Sequence, residues 1–256
     1  MQNNTFSGLF VGQNLITLKE VASTNTFLKD ALSKSTPLLE GTVILAEKQL
    51  VGRGQADNSW ISEPGKNLTF SILLNPSFLQ VDKQFELNKA ISLALNDVMA
   101  NYAGNYARIK WPNDSYIGNK KIGGMLIENI VYGNKIRHAI IGIGLNINQT
   151  NFPRYLKNVT SFKQFLQRDF DLQALLVEIC NAVEARYLQL KSGHNAQITA
   201  EYLEKLYLRN EWALFKFDGE IQSGKISGIT EAGRLQLETG NEIRQFDSKE
   251  IEFVNV

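Results

Sequence analysis

The sequence has few of the features that mark secreted, membrane-spanning or nucleic-acid-binding proteins. Its 256 residues include 1 cysteine, which excludes an internal disulfide, and 5 scattered prolines. No stretch approaches the roughly 18 apolar residues of a membrane span, and no basic segment followed by an apolar run opens the chain. With 27 basic and 26 acidic residues, the net charge of +1 gives no general attraction for a phosphate backbone. We therefore expect a cytoplasmic protein that binds neither membrane nor nucleic acid.

Residues suited to metal binding or to nucleophilic catalysis are also scarce. Cys180 lies in an apolar stripe with helical spacing, so we interpret it as a core thiol. The two histidines, His138 and His194, are far apart and have no Cys/His cluster near them. This distribution argues against a zinc site and against a Ser-His-Asp triad.

The first 209 residues contain more strand-like runs than helices. Hydrophobic patterning predicts helices at 25–33, 83–102, 171–190 and 196–209, and strands at 15–21, 42–47, 68–74, 107–111, 123–132 and 136–147. Residues 132–135 are predicted to form a hairpin turn, so the strands beside them should be antiparallel. The pattern predicts an α+β fold with a mixed sheet rather than a doubly wound one.

The pattern changes near residue 210. Short alternating strands are predicted at 213–217, 220–229, 234–238 and 243–246, separated by turn sequences such as Asp218-Gly219. This spacing is typical of a small β-barrel. We therefore predict two domains, residues 1–209 and residues 210–256.

A glycine-flanked arginine follows the second predicted strand, in Gly52-Arg53-Gly54-Gln55. Glycines allow backbone N–H groups to approach an anion closely, and arginine supplies a fork of donors suited to carboxylate or phosphate. Taken alone, however, the Gly-Arg-Gly segment favours a surface turn that carries a solvated arginine.

A second polar segment, residues 110–114, reads Lys-Trp-Pro-Asn-Asp, and Lys121 follows seven residues later. A lysine, an amide and a carboxylate near a strand end can hold phosphates and Mg²⁺, while Lys121 faces a reacting anion. The alternative interpretation is an Asn113-Asp114 turn between solvated lysines.

Two further segments are ambiguous by themselves. Ser23-Thr24-Asn25 at a strand-to-helix junction is a good N-cap, although its hydroxyls could also bind a polar ligand ring. The run Gly142-Ile143-Gly144 begins like a dinucleotide fingerprint, but Ile147 stands where the third glycine should be, so we reject that interpretation. No Gly-x4-Gly-Lys-Ser/Thr motif is present either, so an ATP site here would not be a P-loop.

Taken together, these motifs resemble those of biotin protein ligases over nearly the whole chain. In chain order they are Ser23-Thr24-Asn25, Gln49 with Gly52-Arg53-Gly54, Trp60, Lys110-Trp111-Pro112-Asn113-Asp114, Lys121 with Gly123-Gly124, and Gly142-Ile143-Gly144-Leu145-Asn146. The resemblance implies a catalytic domain with a mixed sheet like that of class II aminoacyl-tRNA synthetases, followed by an SH3-like barrel.

The resemblance also implies the chemistry. Biotin would attack the α-phosphate of ATP to give biotinyl-5′-AMP, and a lysine of a biotin carboxyl carrier domain would then take the biotin. ATP, Mg²⁺ and biotin are the expected ligands, with no tightly bound redox cofactor, and the protein is expected to be a monomer or a homodimer.

Residue roles follow from the matching motif positions. Lys121, Arg53 and Asp114 would be catalytic, and Asp114 would also bind Mg²⁺. ATP contacts are expected from Arg53, Trp60, Lys110, Asn113, Asp114 and Asn146. Biotin contacts are expected from Ser23, Thr24, Asn25, Gln49, Gly52, Arg53, Gly54, Gln55, Lys121, Gly124 and Leu126.

The sequence departs from the family pattern at Gln55, where many relatives have a basic residue. Only about a dozen residues precede the first predicted strand, too few for a helix-turn-helix module, so a repressor role is not expected. A lipoate or octanoate ligase of the same fold, or a biotin-binding regulator without catalysis, remains as an alternative. A lipoate site would not need Gln49 or other partners for a ureido ring.

Overall fold

A mixed seven-stranded sheet forms the larger part of the protein in the computed structural model, which describes residues 7–34, 38–54, 59–240 and 242–254. Its strands, in spatial order, are β1 (Leu15–Val21), β2 (Val43–Gln49), β5 (Leu68–Leu74), β9 (Lys135–Leu145), β8 (Lys120–Tyr132), β7 (Asp114–Ile117) and β6 (Ala107–Lys110). Two short strands, β3 (Gly52–Arg53) and β4 (Ser59–Trp60), pair with each other beside this sheet.

The predicted mixed sheet is confirmed. Strands β1 and β2 are parallel and are joined through helix α1 (Thr24–Ser33), as a parallel connection requires, whereas every other neighbouring pair in this sheet is antiparallel. The predicted hairpin between β8 and β9 is also present, with Tyr132 opposite Lys135 and Gly133 at a φ of 61°.

Helices cover both faces of the sheet. Besides α1, they are α2 (Gln84–Ala103), α3 (Phe162–Leu166), α4 (Leu172–Lys191) and α5 (Asn195–Lys205), and α4 and α5 both pack against α2. Alternate residues of β5 face two different apolar cores, one on each side of the sheet. Phe70 and Ile72 belong to the large core that includes α2 and α4, whereas Leu73 packs with Leu28 of α1 on the opposite face. The candidate site lies on the α1 face. No helix in the described ranges is long and apolar enough to cross a bilayer.

Helix α1 begins where the sequence predicted an N-cap. Ser23 is extended, with φ −155° and ψ 136°, and its side chain accepts a hydrogen bond from the Thr26 N–H at 3.5 Å. Such a cap satisfies one of the free N–H groups of the first turn. It also fixes Ser23, Thr24 and Asn25 at the end of β1.

Several predicted boundaries were wrong. The helix predicted at 196–209 ends at Lys205, because the next residue, Leu206, is extended with a ψ of 134°, and Leu208 and Asn210 beyond it have left-handed φ values of 59° and 61°. The alternative interpretation of Asn113-Asp114 as a turn holds only for Asn113, since Asp114 begins β7. Strands β3, β4 and β7 and helix α3 had not been predicted.

After α5 the chain forms a five-stranded antiparallel sheet, which is the expected small β-domain, and its buried apolar residues join the large core. Its spatial order is β13 (Glu242–Phe246), β12 (Leu235–Thr239), β11 (Glu220–Ile229), β10 (Trp212–Phe217) and β14 (Glu252–Phe253). Strand β14 had not been predicted. The boundary predicted at 209/210 falls in the connection between α5 and β10.

The two parts are joined by polar contacts as well as by packing. Buried Trp111 donates its indole N–H to the Gly233 carbonyl at 2.9 Å, and Lys83 forms an ion pair with Glu231. These contacts place the small β-domain beside the end of β6, close to the candidate site.

Candidate functional site

A cavity of about 240 Å³ opens between α1, the β3–β4 hairpin and the adjoining face of the sheet. Of the predicted site residues, twelve line it: Ser23, Thr24, Asn25, Gln49, Arg53, Gly54, Trp60, Asn113, Asp114, Lys121, Gly124 and Leu126. They come from segments that span about 100 residues of sequence, and the fold brings them to one place.

The floor of the cavity is a stretch of sheet with little side-chain cover. Gly144 pairs with Gly124 on β8 and with Thr69 on β5, and Gly142 lies two residues away on the same face. A Cβ added at Gly144 would lie 2.4 Å from the Trp60 ring, and one at Gly142 would lie 2.4 Å from Asn25 Oδ1. The Gly-x-Gly run rejected as a dinucleotide fingerprint therefore lets two side chains lie directly on the sheet.

A buried polar cluster forms the α1 end of the cavity. The Thr24 N–H donates to Gln49 Oε1 at 2.8 Å, and Thr24 Oγ1 lies 3.1 Å from the same oxygen. Ser71 Oγ, on β5 beneath them, lies 2.6 Å from Thr24 Oγ1 and 2.5 Å from Asn25 Oδ1. Ser71 is fully buried, and Thr24 and Asn25 are each 3% exposed. Groups buried this deeply must be paired, so the cluster is rigidly ordered.

Arg53 is held by a carboxylate that had not been predicted. Arg53 Nη2 donates to Glu128 Oε2 at 2.7 Å, and Asn25 Nδ2 donates to the same oxygen at 2.8 Å. The second N–H of the Asn25 amide points to the Leu126 carbonyl at 3.3 Å. Glu128 thus links the arginine of the hairpin to the buried cluster at α1.

A β-bulge aims Lys121 at the cavity. Side chains alternate along a strand, so Lys121 and Gly124, three residues apart, would normally face opposite sides of β8. The pairing shifts between Ser115, opposite Gly123, and Tyr116, opposite Lys121, which inserts one extra residue into β8. The extra residue reverses the alternation and places Lys121 on the same side as Gly124.

Lys121 Nζ forms an ion pair with Asp114 Oδ1 at 2.7 Å. The two side chains are 34% and 25% exposed, so the pair is open to the cavity rather than sealed in the core. Of the residues that the structure describes, Lys121 and Arg53 are the cations that line this cavity, and each forms an ion pair with a carboxylate. An anion that binds between them would meet two sources of positive charge.

Trp60 lies flat above Gly144 with its indole Nε1 buried and without a hydrogen-bond partner in the described part of the chain. Asn146, which follows β9, is 3% exposed and donates Nδ2 to the Thr160 carbonyl, but its Oδ1 likewise has no partner among described residues. Buried polar atoms are almost always paired, so each of these atoms could meet a ligand.

Three of the predicted site residues that the structure describes do not line the cavity. Gly52 pairs with Trp60 in the hairpin, and Asn146 follows the end of β9 and is not among the lining residues. Lys110 lies outside: its Nζ is 3.2 Å from the Tyr116 hydroxyl and 4.7 Å from the Phe253 ring centroid of the small β-domain, and burial lowers its pKa. Its predicted contact with ATP stays a prediction. Gln55 lies outside the described residues.

Sequence reasoning missed several residues around the cavity. Ser71 and Glu128 support its walls, and Ser248, from the connection between β13 and β14, lines its rim. Ser71 carried a signal, because a serine within an apolar strand needs a buried partner. No pattern in the sequence singles out Ser248.

The described residues contain no group of three or more His, Cys, Asp or Glu side chains that could hold a metal ion by themselves. Among the described residues, Asp114 is the carboxylate that lines the cavity. This donor set suits only a cation whose other ligands come from a bound substrate.

Two family models match the chain. Residues 18–146 match the biotin/lipoate A/B protein ligase family, and residues 215–254 match the biotin protein ligase C terminal domain. The first match includes the cavity except for Ser248, and the second covers most of the small β-domain.

Individual relatives agree with these matches. The bifunctional ligase/repressor BirA of Bacillus subtilis is 31% identical over 246 residues, which is 94% of this chain and 74% of that protein. A biotin--[acetyl-CoA-carboxylase] ligase of Paracoccus denitrificans is 32% identical over 130 residues, covering 50% of this chain and 53% of that one. Among solved structures, a biotin protein ligase from Aquifex aeolicus in complex with biotin and ATP superimposes with a TM-score of 0.78 at 27% identity, covering 93% of this chain and 97% of that one.

Proposed function

Because the chain belongs to the biotin protein ligases of the biotin/lipoate A/B protein ligase family, we propose that it activates biotin with ATP and transfers it to a carrier lysine. One observation carries the proposal. Two cations from separate segments, Arg53 and Lys121, share one cavity with the hydroxyl and amide cluster at α1 and with the Trp60 ring above the floor.

The polar cluster supports biotin as the substrate. Ser23, Thr24 and Gln49 line one end of the cavity and offer hydroxyl and amide groups to the ureido ring, whose polar atoms would be costly to bury unpaired. A ligand with only an aliphatic or dithiolane end would form no hydrogen bond with this cluster. This argument favours biotin over lipoate or octanoate.

The cations support the first chemical step. A biotin carboxylate oxygen attacks the α-phosphorus of ATP, the bond to the β-phosphate oxygen breaks, and pyrophosphate leaves with the electron pair. Negative charge therefore accumulates on phosphate oxygens between the two substrates. Lys121 and Arg53 would stabilise that charge, since fixed donors act more strongly in a cavity shielded from water.

The nucleotide would lie on the floor of the cavity at the Trp60 end. We infer that adenine stacks on the Trp60 indole, with Asn146 Oδ1 as an acceptor near the base. Asn113 and Asp114 would face the phosphates, and Asp114 would bind a Mg²⁺ that arrives with ATP. When bound, the metal ion would neutralise phosphate charge; Asp114 also holds Lys121 in place at 2.7 Å.

In the second step, the amine of the carrier lysine attacks the acyl carbon of biotinyl-5′-AMP. The amide bond forms, AMP leaves, and one proton is released from the amine. The name of the Paracoccus relative motivates a biotin carboxyl carrier domain as the acceptor.

The test is transfer of biotin to a carrier domain by wild type and Lys121→Ala. Removal of one such electrostatic donor should lower the rate about 100- to 1000-fold. The matched control is Lys120→Ala, a neighbouring exposed lysine on β8 that does not line the cavity, and it should act like wild type.

Three results would contradict the proposal. If wild type transfers lipoate but not biotin, the proposed substrate is wrong. Binding of biotin without formation of biotinyl-5′-AMP, measured by mass spectrometry, would favour a regulator without catalysis. Full activity of Lys121→Ala would remove Lys121 from the mechanism.

A further inference from the structure

We propose that residues 158–160, here called the clamp, are a positioning segment that holds the backbone of Lys121 and so directs its side chain into the cavity. The proposal rests on the proposed function, because Lys121 is the cation assigned there to the charge that develops between biotin and ATP. None of the residues 158–160 lines the cavity, so the clamp would act on the reaction through Lys121.

The seven-stranded sheet alone does not hold Lys121 firmly. Strand β9 ends at Leu145, which lies opposite Gly123, so Lys121 has no partner in β9. On its other side Lys121 faces Tyr116 of β7, next to the bulge where the register shifts. A bulge disrupts the ladder and leaves one residue unpaired, so pairing with β7 fixes the strand less well there. A lysine at this position needs support from outside the sheet.

The clamp supplies this support through two backbone hydrogen bonds. The Lys121 N–H donates to the Asn158 carbonyl at 2.7 Å, and the Lys121 carbonyl accepts the Thr160 N–H at 2.9 Å. Lys121 thereby lies opposite Val159 in a short parallel pairing, beside β8 where β9 has ended. Because the two bonds hold the peptide groups on either side of the Lys121 Cα, they fix the direction of its Cα–Cβ bond.

The clamp is itself anchored to the core. Asn146 Nδ2 donates to the Thr160 carbonyl at 3.1 Å, and the Asn146 carbonyl accepts the Phe162 N–H at 3.1 Å. Phe162, the first residue of α3, is 1% exposed and packs against the rings of Tyr102 and Phe170. These contacts connect the clamp to the end of β9 and to the large core, so it can resist displacement of Lys121.

The clamp and Asp114 hold opposite ends of the Lys121 side chain. The Asp114 carboxylate lies 2.7 Å from Nζ, but an ion pair this open to solvent restrains a long, flexible side chain only weakly. Displacement of a reacting group by about 1 Å can cost about 100-fold in rate. We therefore expect loss of the clamp to slow the chemical step, while the affinities for biotin and ATP change little.

Asn158 offers a way to disturb the clamp without touching the cavity. Its φ of 56° is left-handed, a conformation that glycine adopts freely and that is least favourable for β-branched residues. Asn158→Val therefore disfavours the backbone that presents the carbonyl to Lys121. Asn158→Gly removes the same side chain and keeps that backbone. The comparison of the two variants isolates the backbone from any contact of the Asn158 side chain.

The experiment follows a single turnover of biotinyl-5′-AMP formation by the full chain at saturating biotin and MgATP. Asn158→Val should react about 10- to 100-fold more slowly than Asn158→Gly, while the dissociation constants for both substrates differ by less than about threefold. Thr160→Pro deletes the N–H that donates to the Lys121 carbonyl, and it should slow the reaction in the same way.

Gln167→Val is the matched control for backbone strain. Gln167 has a φ of 55° at the end of α3, so valine is disfavoured there in the same way, but the Gln167 N–H bonds Lys163 rather than Lys121. This variant should react at the wild-type rate.

A double variant separates positioning from general damage to the structure. When Asn158→Val is combined with Lys121→Ala, no lysine side chain is left to position. The combined variant should therefore react as slowly as Lys121→Ala alone, whereas a purely structural defect would slow it further.

The positioning role is overturned, and the proposed function stands, if Asn158→Val and Thr160→Pro both react as fast as Asn158→Gly. The same conclusion follows if Gln167→Val loses as much activity as Asn158→Val, or if Asn158→Val slows the Lys121→Ala variant further. Urea unfolding midpoints check that each variant folds, and if one clamp variant does not fold, the other decides. If wild type forms no biotinyl-5′-AMP, the proposed function fails and the positioning role fails with it.

Discussion

Gly144→Ala should weaken ATP binding by displacing the ring on which adenine is proposed to stack. The new Cβ would lie 2.4 Å from Trp60 Cε2, 2.7 Å from Cζ2 and 2.8 Å from Nε1. Carbon atoms pack best at about 3.5–4.0 Å, so the indole must move by roughly 1 Å. All three atoms belong to one rigid edge, and the Trp60 backbone is paired with Gly52. The whole ring must therefore tilt away from the sheet.

The magnitude follows from the value of stacking. Contacts between an aromatic side chain and a base contribute about 1–3 kcal/mol, which corresponds to about 5- to 150-fold in the dissociation constant. Calorimetry with MgATP in the absence of biotin measures this change directly. Biotin binding in the absence of ATP should change less than about threefold, because the polar cluster at α1 does not contact the displaced ring.

A control and a double variant separate this mechanism from a general loss of structure. Gly228→Ala is the matched control, since its Cβ meets only the flexible end of Gln236, and it should leave both affinities unchanged. In a Trp60→Ala background, Gly144→Ala should add no further loss of ATP affinity. The reasoning is refuted if Gly144→Ala binds ATP as wild type does, or if it weakens biotin as much as ATP.

Two further predictions concern the core. Glu184 accepts the backbone N–H groups of Leu9, Phe10 and Val11 at 2.6, 2.7 and 2.8 Å, so Glu184→Ala should lower the free energy of unfolding in urea by about 2–4 kcal/mol; an unchanged midpoint would contradict it. Burial raises the pKa of Cys180 to about 12, and only the thiolate is reactive, so iodoacetamide labelling of the folded protein should stay slow from pH 8 to pH 10. The same labelling of urea-unfolded protein should accelerate with pH, and rapid labelling in the native state would show that the thiol is accessible.

The long elements and the clustering of motif residues could be predicted from sequence because local pattern determines them. Helix α2 has 20 residues with regular spacing, and its predicted bounds differ from the observed ones by one residue at each end. Strand β7 has only 4 residues and begins at Asp114, directly after a turn sequence, so the turn propensity concealed it. Short elements whose formation depends on a neighbouring strand lie beyond what local pattern can indicate.

The direction of a side chain was harder to predict than its position. Lys121 was singled out by its motif, but alternation along β8 would have placed it on the opposite side from Gly124. Only the bulge in the pairing with β7 brings both to the cavity. A bulge is a property of two strands in register, so a single strand's sequence does not reveal it.

Buried polar residues show where sequence reasoning could go further. Strand β5 is buried at all seven positions, yet two of them are Thr69 and Ser71. Both face the α1 side, opposite Gly144 and Gly142, which have no side chains to cover them. A buried hydroxyl at such a position is destabilising unless it forms a hydrogen bond. Its hydrogen-bond partners must therefore come from the segments that pack on the α1 side of the sheet. For Ser71 those partners are Thr24 and Asn25. A serine within an otherwise apolar strand therefore indicates a polar site on the face to which that serine points.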